Sequence, residues 1–313
     1  MSKEAAGRLK ISVFKNVIFH LTFHSLRIYF RHIPIIAGKA WIWQRVAAPQ
    51  VRRELSIKAK ASFGAVFHGA FPDLIHSHLF FFGIWEPVLS AYLADLLRPG
   101  DTVIDIGANV GAHTLFAAHL VGSAGHVHAI EASPHIFAKL QENIRLNGMT
   151  NVRLYNVAVT DVAGSALVYL HSDYNLGATT IVPEELVTRE AKPEAVVTAL
   201  PLQEIVPLEA IKAAKVIKID VEGAEWLVAK GMASILPELS EQVIIIAEVS
   251  PIGLKAFDVS PAVFFKLFTD AGFKAYQFDS EPIPETSRFY RRVVIPYLPP
   301  TQHLDRDIVF RRS

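Results

Sequence analysis

Short apolar runs rich in β-branched residues recur along this chain, and several of them end in an acid. Thr102-Val103-Ile104-Asp105-Ile106 is followed at once by Gly107-Ala108-Asn109-Val110-Gly111, then by the helix-forming run His113-Thr114-Leu115-Phe116-Ala117-Ala118. That order predicts a strand, a tight loop and a helix. His126-Val127-His128-Ala129-Ile130 leads into Glu131 in the same way. Ser133 then offers an N-cap and Pro134 a first helical position, and Phe137, Leu140, Ile144 and Leu146 carry a helix to Asn147-Gly148. Residues 151–159 read as a third strand and 166–170 as an added one. Val216-Ile217-Lys218-Ile219 runs into Asp220 and a glycine turn, and Val243-Ile244-Ile245-Ile246-Ala247 runs into Glu248. A helix over 261–271, a strand over 273–278 and a last strand at Ile308-Val309-Phe310 complete the alternation. Residues 173–180 read as a polar loop, 193–207 as a link and 282–300 as a Pro-rich connection. The alternation predicts a doubly wound, Rossmann-like α/β domain with a mostly parallel sheet.

The loop after the first of these strands is the place to look for chemistry, because ligands in open α/β sheets sit beyond the carboxyl ends of the strands. Gly107 and Gly111 permit strained dihedrals and a close approach to bare backbone. The dinucleotide pattern G-x-G-x-x-G is absent, since Asn109 and Ala112 stand at two of its glycine positions. The loop therefore suits a zwitterionic cofactor without phosphate better than a pyrophosphate, and a nicotinamide dehydrogenase is the weakest reading. Glu131 ends the next strand, where an acid accepts both hydroxyls of a ribose. Asp220, Glu222 and Glu248 would face the same crevice.

Asp-Ile-Gly-Ala-Asn-Val-Gly at 105–111, Glu131, Asn143-Ile144-Arg145-Leu146-Asn147 and Lys218-Ile219-Asp220-Val221-Glu222-Gly223-Ala224-Glu225 together resemble an FkbM-type methyltransferase. The resemblance covers roughly residues 80–250, with Gly83-Ile84-Trp85-Glu86-Pro87 as its upstream part. It implies a class I methyltransferase fold with a mostly parallel seven-stranded sheet and an antiparallel last strand, S-adenosyl-L-methionine as cofactor, and methyl transfer, in characterised members mostly to hydroxyl groups. The cofactor contacts it implies are Glu86, Asp105, Gly107, Asn109, Gly111, Thr114, Glu131, Ala132, Ala158 and Val159, with Asp105 near the ammonium, Glu131 at the ribose and the chain near Ala158 and Val159 beside the adenine. A hydroxyl acceptor needs a base, or a metal that weakens its proton. Asp220 and Glu222 are the expected catalytic pair, with Glu248 as partner, because neighbouring carboxylates repel and raise the pKa of one. The same pair could instead hold a divalent cation, magnesium or manganese. His171 is the next candidate base.

Composition sets limits. In 313 residues with 51% hydrophobic content there is material for a large core, and no cysteine is present. That excludes disulfides, thiolate metal sites, a cysteine nucleophile and the iron–sulfur cluster of radical adenosylmethionine chemistry. No apolar run is long enough to predict a membrane span, and His20, His24 and Arg27 speak against a cleaved signal peptide. Residues 1–60 hold twelve lysines and arginines against two glutamates, whereas the rest holds nineteen against twenty-eight acids. This predicts a basic, aromatic-rich helical extension over 1–60 joined to a catalytic domain over 61–313. Ile11, Phe14, Val17, Ile18, Leu21 and Ile28 give the arm a roughly helical apolar face, and Trp41-Ile42-Trp43 adds aromatic surface. Packing on the catalytic domain or across a homodimer is the favoured use of that face; peripheral contact with the inner face of a membrane is the other. The expected location is the cytoplasm and the expected substrate a hydroxyl of a small molecule, sugar or glycolipid. Two further classes compete: a nucleic-acid methyltransferase using the basic arm, and a non-catalytic membrane-associated protein with this fold. Against the first, no Asn-Pro-Pro-Tyr or Asp-Pro-Pro-Tyr follows the fourth strand and the predicted crevice is acidic, so no nucleic acid is expected. Against the second, the glycine loop and the ribose acid are both intact.

Overall fold

A computed structural model describes residues 22–33, 39–47, 54–170, 179–182, 192–277 and 306–312. Its strands are β1 (Leu55–Lys60), β2 (Val66–Phe71), β3 (Thr102–Ile106), β4 (His126–Ile130), β5 (Val152–Tyr155), β6 (Ala158–Val159), β7 (Gly164–Leu170), β8 (Lys192–Leu200), β9 (Ala214–Ile219), β10 (Ile244–Val249), β11 (Lys274–Gln277) and β12 (Arg306–Arg311). Seven form one sheet in the order β11-β12-β10-β9-β3-β4-β5. β3 pairs parallel with β4 and β9, and β9 parallel with β10, while β12 runs antiparallel between β10 and β11. This is the mostly parallel seven-stranded sheet with one antiparallel strand that the family resemblance implies.

Both faces of the sheet are covered, which is why its strands read as continuous apolar runs. Ile104, Ile106, Ile217, Ile219 and Ile245 turn to one face, packed by Val228 and Met232 of helix Glu225–Met232 and by Phe264, Phe265 and Phe268 of helix Pro261–Asp270. Val103, Val216, Ile244, Ile246 and Val309 turn to the other, under Leu89 and Leu93 of helix Pro87–Leu96 and Phe116 and Ala117 of helix Ala112–Val121. Each such side chain contributes roughly 1.5–3 kcal/mol on burial. On this second face the next positions towards the carboxyl ends are charged: Asp105, Lys218, Glu248 and Asp307. An apolar layer thus becomes a polar rim where the crevice opens.

Two expectations need correction. Residues 193–207 are not simply a link, because Lys192–Leu200 is a strand paired antiparallel with β7. The run 151–159 is not one strand either. Asn156 donates from Nδ2 to the carbonyls of Glu131 (2.8 Å) and Ala132 (3.1 Å) and ends β5, after which Ala158 and Val159 leave to pair with β8. A second, three-stranded sheet, β6-β8-β7, results.

The described part of the arm packs on the body. Residues 22–32 are helical, with Phe23 and Phe30 buried against the β1–β2 hairpin and helix Leu74–Phe81. Arg31 is buried and donates to the carbonyls of Leu79 and Phe80, closing the end of that helix. Lys39 donates to the Phe30 carbonyl (3.0 Å). The expected boundary at 60/61 falls in the turn of the β1–β2 hairpin. The apolar positions at 11–21, His171, the loop at 173–178 and the Pro-rich stretch at 282–300 lie outside the described residues. Among the described residues, no helix is long and apolar enough to cross a membrane.

Candidate active site

One cavity collects the carboxyl ends of β3, β4, β9 and β10, and Glu86, Asp105, Gly107, Asn109, Glu131 and Ala132 line one part of it. Ala158, Val159, Asp220, Glu222 and Glu248 line the rest of its sequence-predicted surface. Gly111 and Thr114 do not reach it. Gly111 starts helix Ala112–Val121 at φ +90°, where a Cβ would lie 2.7 Å from the side chain of Leu140, so it serves helix packing. Thr114 is fully buried and donates its hydroxyl to Asp105 Oδ2 at 2.6 Å.

The loop after β3 is shaped by close approach. At Gly107 (φ +81°) a Cβ would stand 1.7 Å from the carbonyl oxygen of Asp220, so only glycine lets the loop cross the end of β9. Asn109 takes a left-handed conformation and donates its backbone N–H to Glu131 Oε2 (2.9 Å), while Glu131 Oε1 accepts from Ser133 N (2.8 Å). Glu86, Asn109 and Glu222 all have positive φ and all line the cavity. Strained non-glycine backbone concentrated at one cavity marks a functional site.

The charged groups divide into two regions. At the cofactor end, Asp105 is buried, and its Oδ1 has no hydrogen-bond partner among the described residues. A buried acceptor left open costs about 1–3 kcal/mol, and an ammonium group would satisfy it. Glu131 is buried as well. Burial pushes its pKa up to about 7 against the two backbone N–H groups that favour its charge. Each of its oxygens keeps a further acceptor direction, enough for the two hydroxyls of a ribose. Ala132, Ala158 and Val159 contribute apolar lining to the same cavity, surface of the kind an aromatic base packs against. These features fit S-adenosylmethionine: Asp105 would hold its ammonium, Glu131 its ribose, and the alanine–valine lining its adenine.

At the other end, Lys218 donates from Nζ to Asp220 Oδ2 (2.7 Å) and lies 3.8 Å from Asp105 Oδ1. Burial opposes its charge, but Asp220, Asp105 and Glu86 outweigh that and hold the ammonium above the ordinary lysine value. For Asp220, burial is likewise outweighed, here by Lys218 and by hydrogen bonding with Glu248, so its pKa lies below the ordinary value. The charge on Asp220, followed by burial, drives Glu248 up to about 10, which makes Glu248 the proton-carrying donor to Asp220. Glu222 is raised to about 8 by burial and then by Asp220 and Glu225. Glu222 stands at the tip of a tight turn (φ +52°) that Glu225 organises by accepting from Val221 N (3.2 Å) and Gly223 N (3.0 Å).

Sequence reasoning passed over three groups here. Lys218 interrupts the apolar strand Val216-Ile217-Lys218-Ile219, and a charge inside a buried strand is itself a signal. His113, directly after the glycine loop, donates from Nε2 to Glu86 Oε2 or accepts its proton at 2.8 Å. Asp307 stands opposite Glu248 in the β10–β12 register, and burial followed by Glu86 and Asp220 raises its pKa to about 7. The cation reading of Asp220 and Glu222 gains no support. Among the described residues no group of acids or histidines is arranged to hold a metal ion, and the place between Asp105 and Asp220 belongs to the Lys218 ammonium.

Fold and site together define an S-adenosylmethionine-dependent methyltransferase class, and comparison with known proteins places the chain within it. The signature of the methyltransferase FkbM domain matches residues 105–275, more than half of the chain, and the protein belongs to that family. It is similar to 31-O-demethyl-FK506 methyltransferase FkbM of Streptomyces tacrolimicus, 41% identical over 80 residues that cover 26% of this chain and 30% of that one. It is also similar to a protein-L-isoaspartate O-methyltransferase of Ignicoccus hospitalis, 37% identical over 71 residues covering 22% and 34%. The matches span about a third of the length of these curated relatives. Among solved structures, methyltransferase FkbM of Methylobacillus flagellatus aligns over 87% of this chain and 60% of its own, at 13% identity and a TM-score of 0.41. TYW2 of M. jannaschii, solved with AdoMet, aligns over 83% and 88% at 16% identity and a TM-score of 0.41.

Proposed function

We propose that this protein is an S-adenosylmethionine-dependent O-methyltransferase that acts on a hydroxyl of a small molecule, sugar or glycolipid, with Glu222 as the general base. The observation that carries the reading is Glu222 itself: a carboxylate whose pKa is pushed up to about 8 and which lines the same cavity as Asp105 and Glu131. When bound, the cofactor supplies a methyl group made electrophilic by its sulfonium. The residues of the chain do the rest. Asp105 and Glu131 orient the cofactor from two strand ends, and the glycine loop brings backbone against it. Glu222 accepts the acceptor's hydroxyl proton, with a basicity near the operating pH where general-base catalysis is most effective. Asp220 is held by Lys218 and Glu248 as a fixed anion, so it shapes the local field while Glu222 takes the proton.

The test is methyl-labelled S-adenosylmethionine offered with a panel of sugars, glycolipids and polyhydroxylated small molecules. Label in a methyl ether is expected, with turnover in Glu222→Gln reduced by roughly 100-fold or more. Label in a nucleic acid, or full turnover in Glu222→Gln on a verified acceptor, would sink the reading.

A further inference from the structure

Lys218 is not needed by the strand it sits in. Its neighbours Val216, Ile217 and Ile219 are buried apolar residues, and an apolar side chain at 218 would continue the same packed face. A lysine only 5% exposed loses its hydration, which costs several kcal/mol unless partners repay it. Its partners are set by sheet register. Lys218 lies opposite Asp105 across the β3–β9 pair, and Asp220 follows two residues on, on the same face. The ammonium binds Asp220 at 2.7 Å and stands off Asp105 at 3.8 Å, too far for a hydrogen bond. Asp220 is therefore fully engaged, while Glu222, two residues further along and turned into the cavity by its left-handed backbone, has no such cation against it in the described hydrogen bonds and ion pairs.

We propose that Lys218 is a positioning residue that divides the Asp220–Glu222 pair, locking Asp220 as a permanent anion and thereby leaving Glu222 as the group that takes the proton from the methyl acceptor. The inference rests on the O-methyl transfer proposed above. The groups that face this pair come from every surrounding element: Glu86 and His113 from the covering helices, Asp105 from β3, Glu225 from the turn, Glu248 from β10 and Asp307 from β12. Carboxylates outnumber cations in that set. The Lys218 charge is thus the principal force that keeps Asp220 ionised, whereas on Glu222 it acts through space as a lowering that burial and the neighbouring carboxylates outweigh. A simple buried counter-ion would stabilise the fold without controlling which carboxylate titrates during turnover.

The experiment uses the full chain and the acceptor identified above, with kcat followed across pH and S-adenosylhomocysteine binding measured by calorimetry as the control for an intact site. In the wild type the acid limb of the kcat profile is expected near pH 8, where Glu222 loses its proton. Lys218→Met should move that limb up by about one pH unit or more, and Lys218→Arg should largely restore it. Asp220→Asn should move it down, because Glu222 loses a repelling neighbour and keeps the lysine. Should Lys218→Met fail to fold, the double variant Lys218→Met/Asp220→Asn removes the whole ion pair and tests the same point, its limb returning close to wild type. A limb that stays in place in Lys218→Met, or in Asp220→Asn, or one that is displaced in the double variant, overturns the proposal. A limb that persists unchanged in Glu222→Gln would instead refute Glu222 as the base, independently of Lys218.

Discussion

Replacing Glu131 by Gln should separate cofactor affinity from stability. In the protein as it stands, the carboxylate accepts one N–H on each oxygen, from Asn109 and from Ser133. Gln keeps one acceptor oxygen and turns an amide NH2 towards the other donor, so one hydrogen bond to a charged group is lost, worth about 1.5–3 kcal/mol. Against this, the buried carboxylate is itself costly to ionise. Its pKa is raised from 4.5 to about 7, and at about 1.4 kcal/mol per unit that is about 3.5 kcal/mol of relief on neutralisation above pH 7. The two terms are of similar size and opposite sign. Thermal unfolding of the variant at pH 8 should therefore fall within about 2 kcal/mol of wild type. Cofactor binding has no such compensation, since both ribose hydroxyls lose a charged acceptor. Calorimetry with S-adenosylhomocysteine at pH 8 should show affinity reduced more than tenfold, a loss above about 1.4 kcal/mol. Unchanged affinity in a folded Glu131→Gln protein would refute the assignment of Glu131 to the ribose.

Stability should fall as pH rises. Glu131, Glu225 and Asp307 have folded pKa values of about 7 and Glu248 about 10, all above their ordinary values; the folded state thus holds more protons, and the stability these groups carry below about pH 4 is lost as pH rises through their folded values. Calorimetric unfolding midpoints should be lower at about pH 9 than at about pH 6, and the reverse order would contradict the raised proton affinity of these acids in the folded state. Gly107→Ala should cost about 3 kcal/mol or more in a denaturant titration, because the new Cβ meets the Asp220 carbonyl oxygen at 1.7 Å with φ at +81°. Asn143→Ala should cost about 2–4 kcal/mol in the same assay, since buried Asn143 accepts from His68 N (3.0 Å) and donates to the Val110 carbonyl (2.9 Å), tying the hairpin to the glycine loop. Methyl transfer should survive a chelator and gain nothing from added magnesium or manganese, because Lys218 supplies the positive charge between Asp105 and Asp220.

That Asp105, the glycine loop and Glu131 line one cavity could be read from the chain alone, because each of the signals is local. Asp105, the glycine loop and the helix after it are consecutive, and the strand–acid pattern places Glu131 at the next strand end. Continuous apolar runs likewise announced the strands, and the antiparallel direction of the last one came with the family resemblance, not from any local signal. Where local pattern and pairing diverged, reading failed: Lys192–Leu200 looked like a link because Pro193 and Pro201 punctuate it, and its pairing with β6 and β7 is what makes it a strand. Gly111 and Thr114 belong to the motif by sequence, yet one turns to Leu140 and the other to Asp105, since a helix start presents neighbouring residues in different directions. The acid–base end was decided by tertiary structure. Asp220, Glu222 and Glu248 are alike as residues, and nothing along the chain says which one holds a proton. Sheet register sets Lys218 beside Asp105 and Asp220, brings Asp307 opposite Glu248, and the fold sets Glu86 against His113. Proton affinity follows distance and burial in space, not order in the chain, so the division of labour among those carboxylates exists only once the strands are paired.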